Sequence, residues 1–315
     1  MGVFMAKYLV TGGAGFIGSN IVERLVGLGH DVRVVDNLST GRLENIENFH
    51  NRIEFINADL SDYKTAAESV KGIDYIIHEA AMPSVPLSVQ DPVGVNRSIV
   101  NTTVNLFKAA VDSGSVKRIV QAASASAYGN SEVLPKNEDM NPEPLSPYAV
   151  AKVTQEYYGK AFFHIYGLEV ISLRYFNVFG PKQDPGSYYA GVISIFTNTM
   201  LQGNAPVIFG DGLTSRDYIY IDDVVDANLS ACSCRWPGRS EVINVGCGNR
   251  LSLNELVETL NKILGKNLKP VYKDERVGDV KHSQADITRA RNILGFNPRV
   301  GVEEGLVKLI DWMKK

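Results

Sequence analysis

Apolar runs rich in β-branched residues recur along the first part of the chain, at 7–11, 32–36, 53–57, 74–78, 117–122 and 169–174. Runs of this length, apolar nearly throughout, predict parallel strands covered on both faces. Between them the hydrophobic residues take up helical spacing, with Ile17, Ile21, Val22, Leu25 and Leu28 after the first run and the stretches 93–111 and 148–165 later. Strand alternating with helix predicts right-handed crossovers and an α/β fold on a doubly wound parallel sheet. Near residue 180 the pattern breaks into a loop at 181–186, a helix at 192–201 and a Gly210-Asp211-Gly212 turn. A helix from Asp222 and a strand at 242–245 are expected to rejoin the sheet. The predicted division is therefore 1–178, with return segments near 222–247, and a smaller, interleaved C-terminal α/β substrate domain over 179–315.

Composition narrows the function classes. With 315 residues, 44% of them hydrophobic, the chain can bury a large core as one domain or two fused ones. Thirty-two lysines and arginines nearly balance 35 acidic residues, and no run of five like charges occurs, so nothing marks a nucleic-acid or anionic-membrane surface. A small anionic substrate held by a few arginines stays compatible. Cys232, Cys234 and Cys247 are too few for a disulfide framework, and neither they nor the scattered His30, His50, His78, His164 and His282 have metal-site spacing. No metal is expected, and a reducing, cytoplasmic setting is. The N-terminus shows neither a basic leader nor a long apolar stretch, and Ala6 stands where a myristoylation signal needs Ser or Thr.

Thr11-Gly12-Gly13-Ala14-Gly15-Phe16-Ile17-Gly18 follows the first predicted strand and opens the first predicted helix. In that context Gly12, Gly15 and Gly18 let the backbone turn and a pyrophosphate approach the free N–H groups of the helix N-terminus. Asp36 ends the second strand 18 residues beyond Gly18, placed to accept from an adenosine ribose. The two together predict a dinucleotide-binding (Rossmann) unit. Asp36 repels a 2′-phosphate and so favours NAD, while nearby Arg42 keeps NADP open. Asp59, after the third strand, has two roles open to it, reaching the adenine amine or capping the helix that follows Leu60-Ser61-Asp62.

Tyr148-Ala-Val-Ala-Lys152 sets a phenol one helical turn from an ammonium, and Ser124 ends the fifth strand. Bringing a tyrosine from about 10 to neutrality requires ~4 kcal/mol of preference for the phenolate. The expectation is that Lys152 supplies it and also holds the nicotinamide ribose, with Ser124 bridging substrate oxygen and phenol. Tyr148 would then draw a proton from an alcohol whose hydride passes to the nicotinamide.

With these residues in hand the chain resembles the extended short-chain dehydrogenase/reductase superfamily, specifically the UDP-hexose 4-epimerases. The resemblance runs over nearly the whole chain. It rests on the glycine loop, Asp36 to Gly41, His78-Glu79-Ala80-Ala81, Ser124 to Gly129, Tyr148 to Lys152, Leu173 to Asn177, Ser215 to Tyr218, and Arg276 to Asp279. It implies a bound NAD that takes and returns hydride at sugar C4, with Tyr148 as base and acid, Ser124 as its hydrogen-bonded partner and Lys152 as its electrostatic tuner. It adds Phe16, Ile17, Asn37, Ser39, Thr40, Gly41, Leu60, Ala80, Ala81 and Tyr175 to the cofactor residues. It assigns Arg216 and Arg276 to the UDP pyrophosphate, Asn177 to the diphosphate, Asp279 to the ribose, Val207 and Phe209 to the uracil, and Gly191 and Val192 to the same nucleotide. Ser84 and Ser126 fall in segments that border the hexose.

The departures from the family pattern are informative. Dehydratases and decarboxylases of this kind place carboxylates where Ala125 and Ser126 stand, so those activities are disfavoured. Ile99 occupies the place of an asparagine that supports the active-site helix and a water path, and Asn96 and Asn101 are candidates to compensate. Ser283 stands where relatives restricted to plain hexoses often carry tyrosine, leaving room for an acetamido group. The resemblance therefore implies interconversion of UDP-GlcNAc with UDP-GalNAc, with UDP-glucose and UDP-galactose also turned over. The alternatives are a UDP-glucose-only or UDP-glucuronate 4-epimerase, or a non-catalytic NAD-sensing relative. Aromatic residues on the helix at 148–165 are consistent with the family's homodimer through a four-helix bundle.

Overall fold

A computed structural model describes residues 5–186, 191–235, 238–275 and 280–315. Its strands begin with β1 (Lys7–Thr11), β2 (Asp31–Asp36), β3 (Glu54–Asn57), β4 (Tyr75–His78), β5 (Arg118–Ser124) and β6 (Val170–Tyr175). There follow β7 (Asn177–Phe179), β8 (Val207–Phe209), β9 (Ser215–Arg216), β10 (Tyr218–Tyr220) and β11 (Glu241–Val245). Seven of them form one sheet in the order β11-β6-β5-β4-β1-β2-β3, parallel throughout. The order reverses between β1 and β4, and such a reversal opens a crevice beyond the carboxyl ends of the strands.

The strands are apolar on both faces because helices cover both. Tyr8, Val10, Ile77, Val120 and Ile171 point into one core with Ile21, Val22, Leu25, Val224 and Val225. Their neighbours Leu9, Ile76, Ile119 and Val170 point into a second core with Leu106, Phe107 and Phe162. The period of two divides each strand between the layers. On one side lies α1 (Phe16–Gly27); on the other are α2 (Tyr63–Ser69) and, after the short α3 (Val85–Gln90) and α4 (Pro92–Asn96), α5 (Thr102–Ser113) and α6 (Pro147–Tyr166). After α7 (Val192–Leu201), α8 (Ile221–Ser233) packs with α1, and β11 pairs with β6 at the sheet's edge.

The start and stop of α6 fix the register of the chemistry. Ser146 accepts from Ala149 N at 3.2 Å as N-cap, Pro147 fills the first turn, and Gly167 ends the helix at φ +72°. Tyr148 therefore lies in the first turn and Lys152 one turn further on. Small residues let this helix lie close to the sheet, and a Cβ on Gly159 would come 3.1 Å from Val170.

The 93–111 stretch is not one uninterrupted α-helix, because Arg97–Asn101 is wound as a π turn between α4 and α5. That turn drives Ile99 into an apolar cluster with Val95, Ala151 and the partly buried Tyr148. Asn96 and Asn101 lie exposed, with Asn96 Nδ2 donating to Asn101 Oδ1 at 3.5 Å. Neither takes the place of the family asparagine. The interior polar chain here runs instead through Thr103, whose hydroxyl donates to Ile99 O at 2.7 Å, and His78, whose ring joins Thr103 to Thr11. Burial holds His78 at about 3 and therefore neutral.

Candidate active site

The glycine loop leaves β1 with Gly12 at φ +65°, where a Cβ would meet Ala80 N at 2.8 Å. A Cβ on Gly18 would lie 2.2 Å from Gly12 O, so neither position admits a side chain without moving backbone. Gly15 caps α1 without a side chain, which leaves the first-turn N–H groups free for an anion. Asp36 accepts from Ala14 N at 3.0 Å and from Leu38 N at 2.8 Å, and Leu38 takes a left-handed φ of +58° to make that turn. Burial raises the Asp36 carboxyl above its usual value, partly offset by those two bonds.

A cavity of about 700 Å³ begins at this loop. Its end beside β2 and β3 is bounded by Asp36, Asn37, Ser39, Thr40, Asp59 and Leu60. Gly12, Gly15, Phe16, Ile17 and Gly18 follow, then Ala80 and Ala81, and at the far end Ser124, Tyr148, Lys152 and Tyr175. Gly41 alone of the anticipated cofactor residues does not line it. It lies behind the Asp36 carboxylate, where a Cβ would come within 2.8 Å of Oδ2. Asp59 accepts from Ser61 N at 2.8 Å, and the helix cap proper is Asp62, which accepts from Thr65 N at 3.2 Å. Arg42, the residue that kept NADP open, is committed to Asp184, while Lys182 bridges to Glu23 at 2.6 Å. These two ion pairs hold the loop 180–186 across the cavity mouth. A glycine cradle with no room for side chains, free helix N–H groups and a buried carboxylate at the end of β2 fit a dinucleotide without a 2′-phosphate.

At the far end Ser124 and Tyr175 stand side by side on β5 and β6. Ser124 Oγ accepts from Ser126 N at 3.1 Å and from Ser126 Oγ at 2.9 Å, and its hydroxyl favours the ionised form of the Tyr148 phenol. Lys152, 3% exposed, donates to Ala122 O at 2.8 Å. Burial lowers Lys152 to about 8, against the pull of Glu79 and Glu156. The expected depression of the phenol is not found in the chain's own groups. Burial raises Tyr148, with the Ser124 hydroxyl opposing the rise and Glu79 adding to it. The reason is local: Lys152 faces two carboxylates and a carbonyl, so little of its field is left for the phenol.

Of the residues assigned to the sugar nucleotide, Ser124 and Tyr148 alone among the described residues line the cavity, and most of the others lie on different elements. Asn177 donates through both its backbone N and Nδ2 to Asp217 O, at 3.0 and 3.1 Å. Arg216, on β9, donates to Ser215 O and Lys281 O, and Ser283 N donates to Ser215 O at 3.1 Å. Asp217 joins these pieces. Fully buried, its carboxylate accepts from Cys247 N, Gly248 N and Ala285 N at 2.7, 2.9 and 3.0 Å. Val207 and Phe209 lie on β8, which pairs with β13 (Val271–Lys273), numbered after the short β12 (Leu251–Ser252). Gly191 caps α7 and Val192 is its first residue. Ser84 is a buried N-cap, accepting from Leu87 N at 3.0 Å. Arg276 and Asp279 lie outside the described residues.

Sequence reasoning missed two residues of consequence, Glu79 and Asp217, although both sit inside motifs it used. A carboxylate directly after the strand at the switch point was the available signal for Glu79. For Asp217 there was none, since its partners are backbone groups distant in sequence.

Over residues 8–246 the chain matches the family described as NAD dependent epimerase/dehydratase. It is 40% identical over 309 residues to a putative UDP-glucose 4-epimerase of Methanocaldococcus jannaschii, across 97% of this chain and 98% of that one. Among solved structures it is similar to a UDP-glucose 4-epimerase from Thermotoga maritima with UDP-glucose, at TM-score 0.93 and 40% identity over 98% of both chains. It is similar also to a UDP-N-acetylglucosamine 4-epimerase from Methanobrevibacter ruminantium M1 in complex with UDP-N-acetylmuramic acid, at TM-score 0.94 and 38% identity over 99% of both.

Proposed function

Because the chain belongs to the NAD-dependent epimerase/dehydratase family and uses NAD, we propose that it is an isomerase interconverting UDP-GlcNAc and UDP-GalNAc, and UDP-glucose and UDP-galactose as well. One observation carries the reading: a single cavity joins the dinucleotide cradle at Gly12, Gly18 and Asp36 to a phenol, a serine hydroxyl and an ammonium. Ala125 and Ser126 supply no carboxylate for dehydration or decarboxylation. Similarity to proteins named for both UDP-glucose and UDP-N-acetylglucosamine supports the UDP-sugar class. The small, partly buried Ser283, held by Ser215, supports the acetylated pair.

The glycine loop, Asp36 and Lys152 would hold NAD, which when bound would supply the hydride acceptor, later the donor, and in its oxidised form a positive charge. Ser124 orients the 4-hydroxyl against Tyr148 Oη. Tyr148 accepts its proton as the C4 hydride departs, and burial keeps the free phenol protonated until that end of the cavity is filled. After the 4-keto sugar has presented its other face, Tyr148 returns the proton, so the net chemistry is redox-neutral.

The purified holoenzyme, incubated separately with UDP-GlcNAc and UDP-glucose without added NAD, should yield the 4-epimer of each by chromatography. No product from either sugar overturns the assignment; product from UDP-glucose alone removes the acetylated pair.

We also propose a cytoplasmic homodimer. Val150, Tyr157 and Ile165 form an exposed stripe at helical spacing along α6, and Val89 and Val93 are exposed on α3 and α4, which pack against that helix. Among the described residues no helix is long and apolar enough to cross a membrane. Tyr157→Glu should convert a dimer to a monomer in sedimentation velocity, whereas a monomeric wild type would refute this interface.

A further inference from the structure

Glu79 takes no part in the steps above, yet it borders the same end of the cavity. Its Oε1 accepts from Tyr175 Oη at 2.7 Å, and that phenol is in turn held by Asn228 Nδ2 at 2.8 Å. The groups that act on it directly come from two elements, Tyr148 and Lys152 from α6 and Tyr175 from β6. Beyond them, Glu156 of α6 and His78 at the end of β4 are coupled to Lys152, and Cys232 of α8 to Tyr175. Most of these are electrically spent. Glu156 is bound bidentately by Arg174 at 2.8 and 2.7 Å. Burial keeps His78, Cys232 and Tyr175 neutral near pH 7. Among the described residues, Lys152 and Glu79 are left as the opposing charges of the reacting end. A buried carboxylate here does two things by elementary electrostatics. It favours the ammonium form of Lys152, and it favours a cationic ring over a neutral one in the same cavity.

We propose that Glu79 is a positioning residue that sets the charge of the reacting end, holding Lys152 as an ammonium and stabilising the oxidised nicotinamide against its reduced form. Burial raises Glu79 to about 7, with Tyr175 and Lys152 opposing, so this effect grows as pH rises through neutrality. The proposal rests on the NAD-dependent reading of the cavity but needs no sugar for its test.

The potential of the bound nicotinamide in the holoenzyme is measured by equilibration with a redox dye, from about pH 5.5 to about pH 9, in wild type, Glu79→Gln and Glu79→Asp. Glu79→Gln should raise the ratio of reduced to oxidised cofactor about tenfold at high pH, whereas Glu79→Asp, which keeps the charge, should stay within about twofold of wild type. Wild type should also show a change of slope near pH 7 that the Gln variant lacks. In the epimerase assay the basic limb of the Gln variant should move to lower pH, because Lys152 loses its supporting charge; a structural role alone would lower the rate equally at every pH. A ratio unchanged in Gln, or equal shifts in Gln and Asp, overturns the proposal. Should the Gln variant not fold, the wild-type slope decides: its absence near pH 7 overturns the proposal and its presence supports it. Failure of sugar turnover with an intact dye result would sink the substrate assignment and leave Glu79's role standing.

Discussion

In the proposed mechanism Tyr148 carries the heaviest chemical demand on any one side chain, since its surroundings hold the proton on rather than take it off. Burial raises the phenol and Glu79 adds to the rise, while the Ser124 hydroxyl lowers it. The phenol should therefore titrate above about 10 in protein stripped of NAD, and lower once the cationic ring is bound. The difference in phenolate absorbance between wild type and Tyr148→Phe measures both. The same substitution should reduce turnover by ~10³-fold or more while leaving bound NAD in place, read by cofactor content and product analysis. Ser283→Tyr tests the sugar pocket. It should suppress turnover of acetamido sugars at least about tenfold relative to plain hexoses, because the added ring fills the space that an acetyl group needs; equal loss on both removes the gate. At this scale the sequence was readable where chemistry depends on local spacing, as in Tyr148 and Lys152 on one helix face. It was not readable where a side chain's charge is decided by what packs around it, which is why the depressed phenol was expected and a raised one found.

At the scale of elements, the strand-loop-helix unit of β1 and α1 does its work by exclusion. Gly12 packs against Ala80 and Gly18 against Gly12 so closely that neither has room for a Cβ, and the uncapped first turn of α1 lines the cavity. Gly18→Ala places a methyl 2.2 Å from Gly12 O and should abolish NAD retention by gel filtration while leaving most secondary structure intact by circular dichroism. Retention of stoichiometric NAD would show that the loop shifts to admit the methyl. Element identity was legible because the central strands of the sheet, such as β1, β4 and β6, are apolar on both faces and the caps are explicit, as with Ser146, Pro147 and Gly167 around α6. The π turn at Arg97–Asn101 was illegible, since no residue there is a helix breaker; the turn shows only when Ile99 is seen among Val95 and Ala151.

Across the whole molecule, the sheet and the elements proposed to bind the nucleotide sugar are joined through a buried acid, Asp217. Asp217 gathers the loop after β11, the strand-like segment at Ala285 and, through its carbonyl, Asn177. Three N–H donors favour its charged form, but burial outweighs them and raises the carboxyl from 3.8 to about 6. The sign of the linkage follows. A carboxyl held above its unfolded value binds its proton more tightly in the native state, so its contribution to stability is full below about pH 4 and is lost as pH rises through about 6. The rise amounts to roughly 3 kcal/mol, an order-of-magnitude figure that the three donors keep from being larger. Urea unfolding of the wild type across this window should therefore show stability declining towards pH 6 from this site, superimposed on the opposite slopes of ordinary carboxylates. Asp217→Asn has no proton to bind and should lack that component, so the difference between the two proteins should change by roughly 2 kcal/mol between about pH 4 and pH 6. At pH 7 the variant leaves some of the three backbone donors without a strong acceptor, and the segment bearing Ser283 should loosen. The KM for UDP-sugar should then rise several-fold with NAD content unchanged. A pH-independent difference in stability would mean that the donors, not burial, govern this acid, and that Asp217 is ionised throughout.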